Sequence, residues 1–391
     1  MEHPFLFSRF KIKSSRDIAA IRKLGLSEVI VIPAYSDIEV APAAAPEQGN
    51  SSDESVEALW RQKKERIDQA QRYRNRRNSV FQHYQQRSQA VRKIARDLIN
   101  QPANAIHVAN DFIETLALEF EDQGDLLLNL VNLNGSAHSF YNHSVNVTIL
   151  SLMLAKAEGL RGDSLRRIGM GALLHDIGKV EVPASILNKP GSLSHAETEI
   201  FQRHTVFGRK LIERVRYFPG EILDIVDHHH EFLDGTGYPH RKSGEKIPHG
   251  ARLVAVADTY DALCNPRARL DALTPKTALA IMYTRYKNKL DTHLVERFIR
   301  EIGVYPPGTV VKLSDGGIGL VVTADALHPL RPEVLLYNPD IPSEQALIVN
   351  LKEHNDLTVR EVVPPQEHPR RIYSYLGIEN RLGYFVERRP S

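Results

Sequence analysis

The hydrophobic positions of this chain change period twice. Phe10 to Lys13 alternates as a strand does, Ser15 stands where an N-cap would open a helix closing at Gly25, and Val29-Ile30-Val31-Ile32 is a second strand. Together they predict a small α+β module over residues 1–40. Ala41 to Ser55, rich in Ala, Pro, Gly and Ser, has no period and little to bury, and predicts a linker. Residues 56–100 contain no proline and scarcely a β-branched run, so one long helix is expected there. Over 101–305 apolar residues recur at spacings of three and four, between turn signals at Gly159, Pro183, Gly191 and Gly250, which predicts an all-helical core. From Pro306 the period falls to two. Val310–Leu313, Gly319–Val322 and Val334–Tyr337 are expected strands, the first two joined across Ser314-Asp315-Gly316-Gly317, and they make 306–391 a β-rich appendage and tail. The fold class expected is mainly α.

Composition narrows the partners more than the chemistry. A length of 391 residues calls for two or three units, and 50 Lys+Arg against 48 Asp+Glu leaves a net charge too small to name a partner. Basic residues crowd the long helix from Arg61 to Arg96, but no aromatic platform or reading motif accompanies them. A solvated connector is therefore expected, and no duplex nucleic acid. That helix could pair with itself in a homodimer, although its apolar positions do not sustain heptads. Cys264 is the single cysteine, which excludes an intramolecular disulfide and suits a reducing compartment. The N-terminus lacks a basic segment followed by an apolar one, and no apolar run reaches the ~18 residues of a membrane span. A cytoplasmic protein without a membrane span is the expectation.

The candidate chemistry lies in the helical core. Leu165, Ile168 and Ala172 continue at helical spacing into His175 and Asp176, which puts an imidazole and a carboxylate at the buried end of a helix. Such groups need partners; a metal ion satisfies both, and two carboxylate oxygens can bridge two ions. Ile222 and Val226 share a face with His229 and His230, whereas His228 falls off that stripe and is expected at the surface or behind the ligands. Ile200, His204, Gly208 and Leu211 align on one helix, which turns His204 inward. His143 opens the apolar helix Val145–Leu154, and Asp258 closes the run Leu253–Ala257. All seven are residue types that suit first-row metals, and two cations so held would activate water at neutral pH. Lys179, one turn beyond His175, could reach an anionic oxygen. Gly235-Thr236-Gly237-Tyr238-Pro239 forms a shaped loop beside the paired histidines, in which Tyr238 either stacks on a ligand or partner or packs beneath the loop.

These motifs resemble those of the HD-GYP phosphodiesterases, bacterial enzymes that hydrolyse cyclic di-GMP. His143-Ser144, His175-Asp176 with Lys179, Pro190-Gly191 to His204, His229-His230-Glu231 with Asp234 to Pro239, and Asp258 to Leu263 match the family's elements in order. The resemblance implies an HD-type metal-dependent phosphohydrolase core in which His143, His175, Asp176 and Asp258 hold one metal. Asp176, His204, His229 and His230 would hold the other, with Asp176 as the catalytic bridge. It further implies iron, or alternatively manganese, and a product of pGpG, GMP or both. Lys179 and Arg267 would hold the substrate phosphate, with Gly237 and Tyr238 also at the substrate. Ser139 stands where three-metal members carry glutamate, so two metals are expected. The phosphate-binding segment, usually Arg-Pro-Tyr and a basic residue, reads Arg267-Ala268-Arg269-Leu270. That departure leaves open a mixed cyclic GMP-AMP dinucleotide as substrate, or a cyclic di-GMP receptor or scaffold that docks a diguanylate cyclase on the Tyr238 loop. Phe5 to Pro33 resembles an uncharacterised domain that often precedes HD-GYP domains.

Overall fold

The computed structural model describes residues 12, 15–23, 53–133, 140–266, 273–324, 327–354, 356–363 and 369–378. The strand expected at Phe10–Lys13 apart from Ile12, the strand expected at Val29–Ile32, most of the linker, Ser139 and Arg267 lie outside these residues. Between the two expected strands stands the helix α1, Ser15–Lys23. Helix α2 runs Asp53–Asn100, so Asp53, Glu54 and Ser55 are helical rather than the end of a linker. Carboxylates at its start favour that earlier beginning, because they face the positive end of the helix dipole. The described residues up to Asn75, with Asn338–Ile348, group as one compact unit, and Arg76–Tyr337 with the rest as another. The second contains the helical core and all of its sheet but Ile348.

In α2 the basic residues Arg61, Lys64, Arg72 and Arg76 are exposed, while Tyr84, Val91, Ile94, Ala95 and Leu98 make a buried stripe near the C-terminal end. Helix α3, Pro102–Leu133, opens with proline in its first turn, where a missing N–H costs nothing, and buries Ala105, Ile106, Ala109, Phe112, Ile113 and Leu116 on one face. Helix α4, Phe140–Ala157, is apolar on every side, and Val145, Val147, Ile149, Leu150, Leu152 and Leu154 are wholly buried. Such a helix must be the centre of a core. Around it pack α3, α5 (Gly162–Leu174), α10 (His249–Cys264) and α12 (Thr292–Ile302). Helix α9, Gly220–His228, lies against α5, α10 and α8 (His204–Val215), and α8 also packs on the short 3-10 turn Ile177–Glu181 that follows Asp176.

One expected helix is two. The run through Ile200 and His204 breaks at Arg203, which separates α7 (His195–Gln202) from α8; α6, Ala184–Leu187, precedes them, and α11, Pro275–Arg285, lies between α10 and α12. Arg203 N donates to Ile200 O in a tightened turn, and the His204 ring takes Phe201 O. Ile200 is consequently exposed and shares no face with His204.

The appendage is a five-stranded sheet in the order β4-β3-β2-β1-β5, from β1 (Val310–Leu313), β2 (Ile318–Thr323), β3 (Glu333–Leu336), β4 (Ile348–Asn350) and β5 (Val359–Val362). Val310 pairs with Leu320 and Gly319 with Leu336, both antiparallel. Val311, Leu313, Leu320, Val321, Val334 and Leu335 are fully buried, and β2 packs on α3. Helix α13, Arg370–Leu376, buries Tyr373 and Leu376 completely. Cys264 is buried, and among the described residues no helix is long and apolar enough to cross a membrane.

Candidate metal centre

Seven side chains from five separate elements converge in the helical core. His175 and Asp176 leave the end of α5, His143 lies in the first turn of α4, His204 begins α8, His229 and His230 follow α9, and Asp258 lies within α10. Their ligand atoms fall into two sets, Asp176 with His204, His229 and His230, and His143 with His175 and Asp258, each with its atoms within 4.8 Å of one another.

Backbone carbonyls orient three of the rings. His175 Nδ1 donates to Ala172 O at 2.7 Å, His204 Nδ1 to Phe201 O at 2.7 Å and His229 Nδ1 to Val226 O at 3.0 Å. A carbonyl only accepts, so Nδ1 carries a proton in each ring, and Nε2 is the nitrogen that each ring turns inward. The Asp176 carboxylate divides its oxygens between the two sets. Oδ1 lies 3.2 Å from His204 Nε2 and 3.9 Å from His229 Nε2, while Oδ2 lies 3.3 Å from His175 Nε2 and 3.6 Å from His143 Nε2. His230 Nδ1 is 3.5 Å from Asp258 Oδ2, and His143 Nε2 is 3.0 Å from Asp258 Oδ1.

Divalent metal ions fit this donor set. Asp176 Oδ1, His204 Nε2 and His229 Nε2 are buried without a hydrogen-bond partner, and lone pair facing lone pair in a dry core is costly unless a cation lies between. Charge points the same way. Burial, then the neighbouring rings of His230, His175 and His204, push His229 well below the usual imidazole range, and burial lowers His230 to about 3. For His143 burial acts downward, but the carboxylates of Asp258 and Asp261 outweigh it and raise the ring to about 10. Burial would raise Asp176, yet Lys179 and His175 hold it well below the usual carboxylate range.

Lys179 donates from Nζ to Asp176 Oδ2 and lies 5.4 Å over the Phe201 ring, with about 20% of its side chain exposed. The Tyr238 ring packs 4.7 Å from that of His230 and 6.2 Å from that of His204, so it lines the site rather than projecting from the loop. Burial, then Asp258 and Asp176, raises its hydroxyl well above the usual phenol range, which keeps it neutral. Gly237 is buried, and a Cβ there would come within 2.3 Å of Phe232 N and 2.5 Å of Glu231 Cα. Its contribution is the close return of the loop, sealed by Tyr238 N donating to His230 O at 3.1 Å, more than a contact surface. Of the two places the periodicity left open for His228, the surface is excluded. His228 is 2% exposed and stands outside both sets, because its Nδ1 donates to Asp224 O at 2.8 Å and directs the ring away.

Two supporting carboxylates were not assigned from the sequence. Asp261 Oδ2 accepts from His143 Nδ1 at 2.7 Å, and Oδ1 accepts from Asn146 and Asn265 at 2.8 Å each. Asn146 in turn accepts from the Tyr84 hydroxyl at 2.6 Å, which ties α2 to the centre. The signal was the three-residue step from Asp258 to Asp261, which puts both on one helix face. Glu231, 3% exposed, accepts from His240 N at 2.7 Å and Lys242 N at 3.0 Å and so shapes the loop. Asp261→Asn is expected to weaken metal binding at the His143 set by about 10–100-fold while leaving the His204 set loaded. Metal titration followed by analysis of the content per chain checks this.

Residues 125–294 match the family model described as an HD domain, and residues 1–109 match that of a domain of unknown function, DUF3391. The second match takes in the small module, the linker and the basic helix alike. The cyclic di-GMP phosphodiesterase PA4108 of Pseudomonas aeruginosa is 34% identical over 249 residues, 63% of this chain and 60% of that protein. The cyclic di-GMP phosphodiesterase response regulator RpfG of Xanthomonas campestris is 39% identical over 150 residues, 38% of this chain and 39% of its own. The 3'3'-cGAMP-specific phosphodiesterase 2 of Vibrio cholerae is 33% identical over 178 residues, 45% of this chain and 34% of that protein. The chain spans three-fifths or less of the length of these relatives.

Proposed function

We propose that this chain is a metal-dependent phosphodiesterase that hydrolyses cyclic di-GMP to pGpG, GMP or both, in bacterial second-messenger signalling in the cytoplasm. The observation that carries the reading is the Asp176 carboxylate, with one oxygen on each of two histidine-rich donor sets. His143, His175, Asp176 and Asp258 would hold one divalent ion and Asp176, His204, His229 and His230 a second. Iron is the first candidate and manganese the alternative, since both accept mixed imidazole and carboxylate ligation. Bound there, such ions activate water at neutral pH and withdraw charge from a phosphodiester.

The chain's own residues do the rest. Asp261 holds His143 in one orientation, and the three carbonyl-bonded rings need no reorganisation when substrate arrives. Lys179 has donors to spare beyond its bond to Asp176 and enough exposure to reach a phosphate oxygen. Tyr238 walls the site beside His230 and limits water there. Arg267 is the second phosphate-binding residue on sequence grounds alone.

The test is turnover by protein purified without oxygen and loaded with Fe(II) or Mn(II), with pGpG, GMP and metal content followed together. Product is expected with about two ions per chain and is expected to vanish on chelation. A mixed cyclic GMP-AMP dinucleotide run alongside decides the substrate, a comparison called for by the Vibrio relative. Full metal loading with neither substrate cleaved would overturn the proposal.

A further inference from the structure

Beyond that centre the described residues bring together one more convergent set of ligand atoms, those of Asp227, His228 and His240, within 4.8 Å of one another. Asp227 and His228 end α9, and His240 follows Tyr238 and Pro239 at the far side of the loop. His228 Nδ1 is committed to Asp224 O, so its Nε2 lone pair faces Asp227 Oδ2 at 3.8 Å, and His240 Nε2 lies 3.0 Å from the same oxygen. These separations bracket the roughly 3.3 Å edge of a tetrahedron built with metal–ligand bonds of about 2.0–2.1 Å. The Asp227 side chain is only 6% exposed, and its Oδ1 is buried without a hydrogen-bond partner. Arg209 does not neutralise the set by itself. Its Nη1 lies 3.5 Å from Asp227 Oδ2 and 3.3 Å from Asp224 Oδ1, and its Nε donates to Glu213 at 2.8 Å, so one cation serves three carboxylates.

We propose that Asp227, His228 and His240 bind a single borderline divalent cation, zinc or cobalt in class, at a site separate from the Asp176 centre. Two imidazoles and one carboxylate are the protein ligands such ions take when water completes the tetrahedron. His240, 46% exposed, gives the ion its entrance. The consequence is mechanical. The loop from Glu231 to His240 carries Gly237 and Tyr238, and Glu231 already holds its backbone through His240 N. A cation on the His240 ring would pin the far side of that loop to the end of α9, next to His229 and His230.

Cobalt titration of the tag-free full chain tests this, with the visible d–d absorption recorded and bound metal counted by equilibrium dialysis. His240 is exposed, so H240A and H240Q keep the fold intact. The unchanged chain is expected to bind one equivalent of Co2+ more than H240A or H240Q, and the same difference is expected to persist in a D176N background. Zinc is expected to slow proteolysis of the 231–240 loop in the unchanged chain but not in H240A. Equal equivalents in the unchanged chain and both His240 variants would overturn the proposal. So would a difference that disappears in D176N, because the ion would then belong to the Asp176 centre.

Discussion

Asp176→Asn is expected to empty both donor sets and to lower turnover by at least about 10³-fold, equivalent to about 4 kcal/mol. The amide is nearly the same size, so the fold is kept and the loss is one of charge and of a ligand oxygen. In the native chain Oδ1 faces His204 and His229 while Oδ2 faces His175, His143 and Lys179. An amide can offer an oxygen to one set only, and its NH2 presents two donors to the other, where a cation is needed. The remaining histidines lose the negative charge that makes a divalent ion welcome in a buried site. Metal analysis and steady-state turnover on the same preparation check the outcome. A variant that keeps full metal content and full activity would remove the bridging role.

Gly178→Ala is expected to cost about 3 kcal/mol or more of stability, a fall of roughly 6–12 °C in Tm, and to lose activity beyond what the unfolded fraction explains. A Cβ at this position would lie 1.9 Å from His204 O and 2.3 Å from Gly208 N. Both are backbone atoms, so no rotamer change relieves the clash, and α8 as a whole must move away from the 3-10 turn at Ile177–Glu181. His204 is the first residue of α8, and its ring would leave Asp176 with it. Gly220→Ala is the matching control. Nothing lies within 4 Å of a Cβ there, and near-native stability and turnover are expected. Thermal unfolding with metal analysis distinguishes a displaced His204 from simple destabilisation.

Much of this was legible in the linear sequence, for identifiable reasons. Helical period carried the core, because α4, α5, α9 and α10 bury apolar faces or are buried all round, and six of the seven prospective ligands, all but His204, lie in those runs or directly after them. The break at Arg203 was not legible, since Ile200 and His204 keep helical spacing across it, and the decisive bond is from the His204 ring to Phe201 O. The apolar stripe left His228 either at the surface or behind the ligands, and only the loop bearing His240, which folds over the end of α9, buries it. Strand β4 is only three residues long and β5 carries exposed Arg360 and Glu361 side by side, so neither shows a strand period, and both gain their meaning only by adding to the edges of β3 and β1.

The sequence by itself determined which residue types could carry chemistry and on which local elements they stand, because period and turn residues act over a few positions. Only the tertiary structure decided that His143 is held by a carboxylate 118 residues away and that Asp227, His228 and His240 share a corner. Those are contacts between elements, set by how α4, α5, α8, α9 and α10 pack against one another, and no local pattern encodes them.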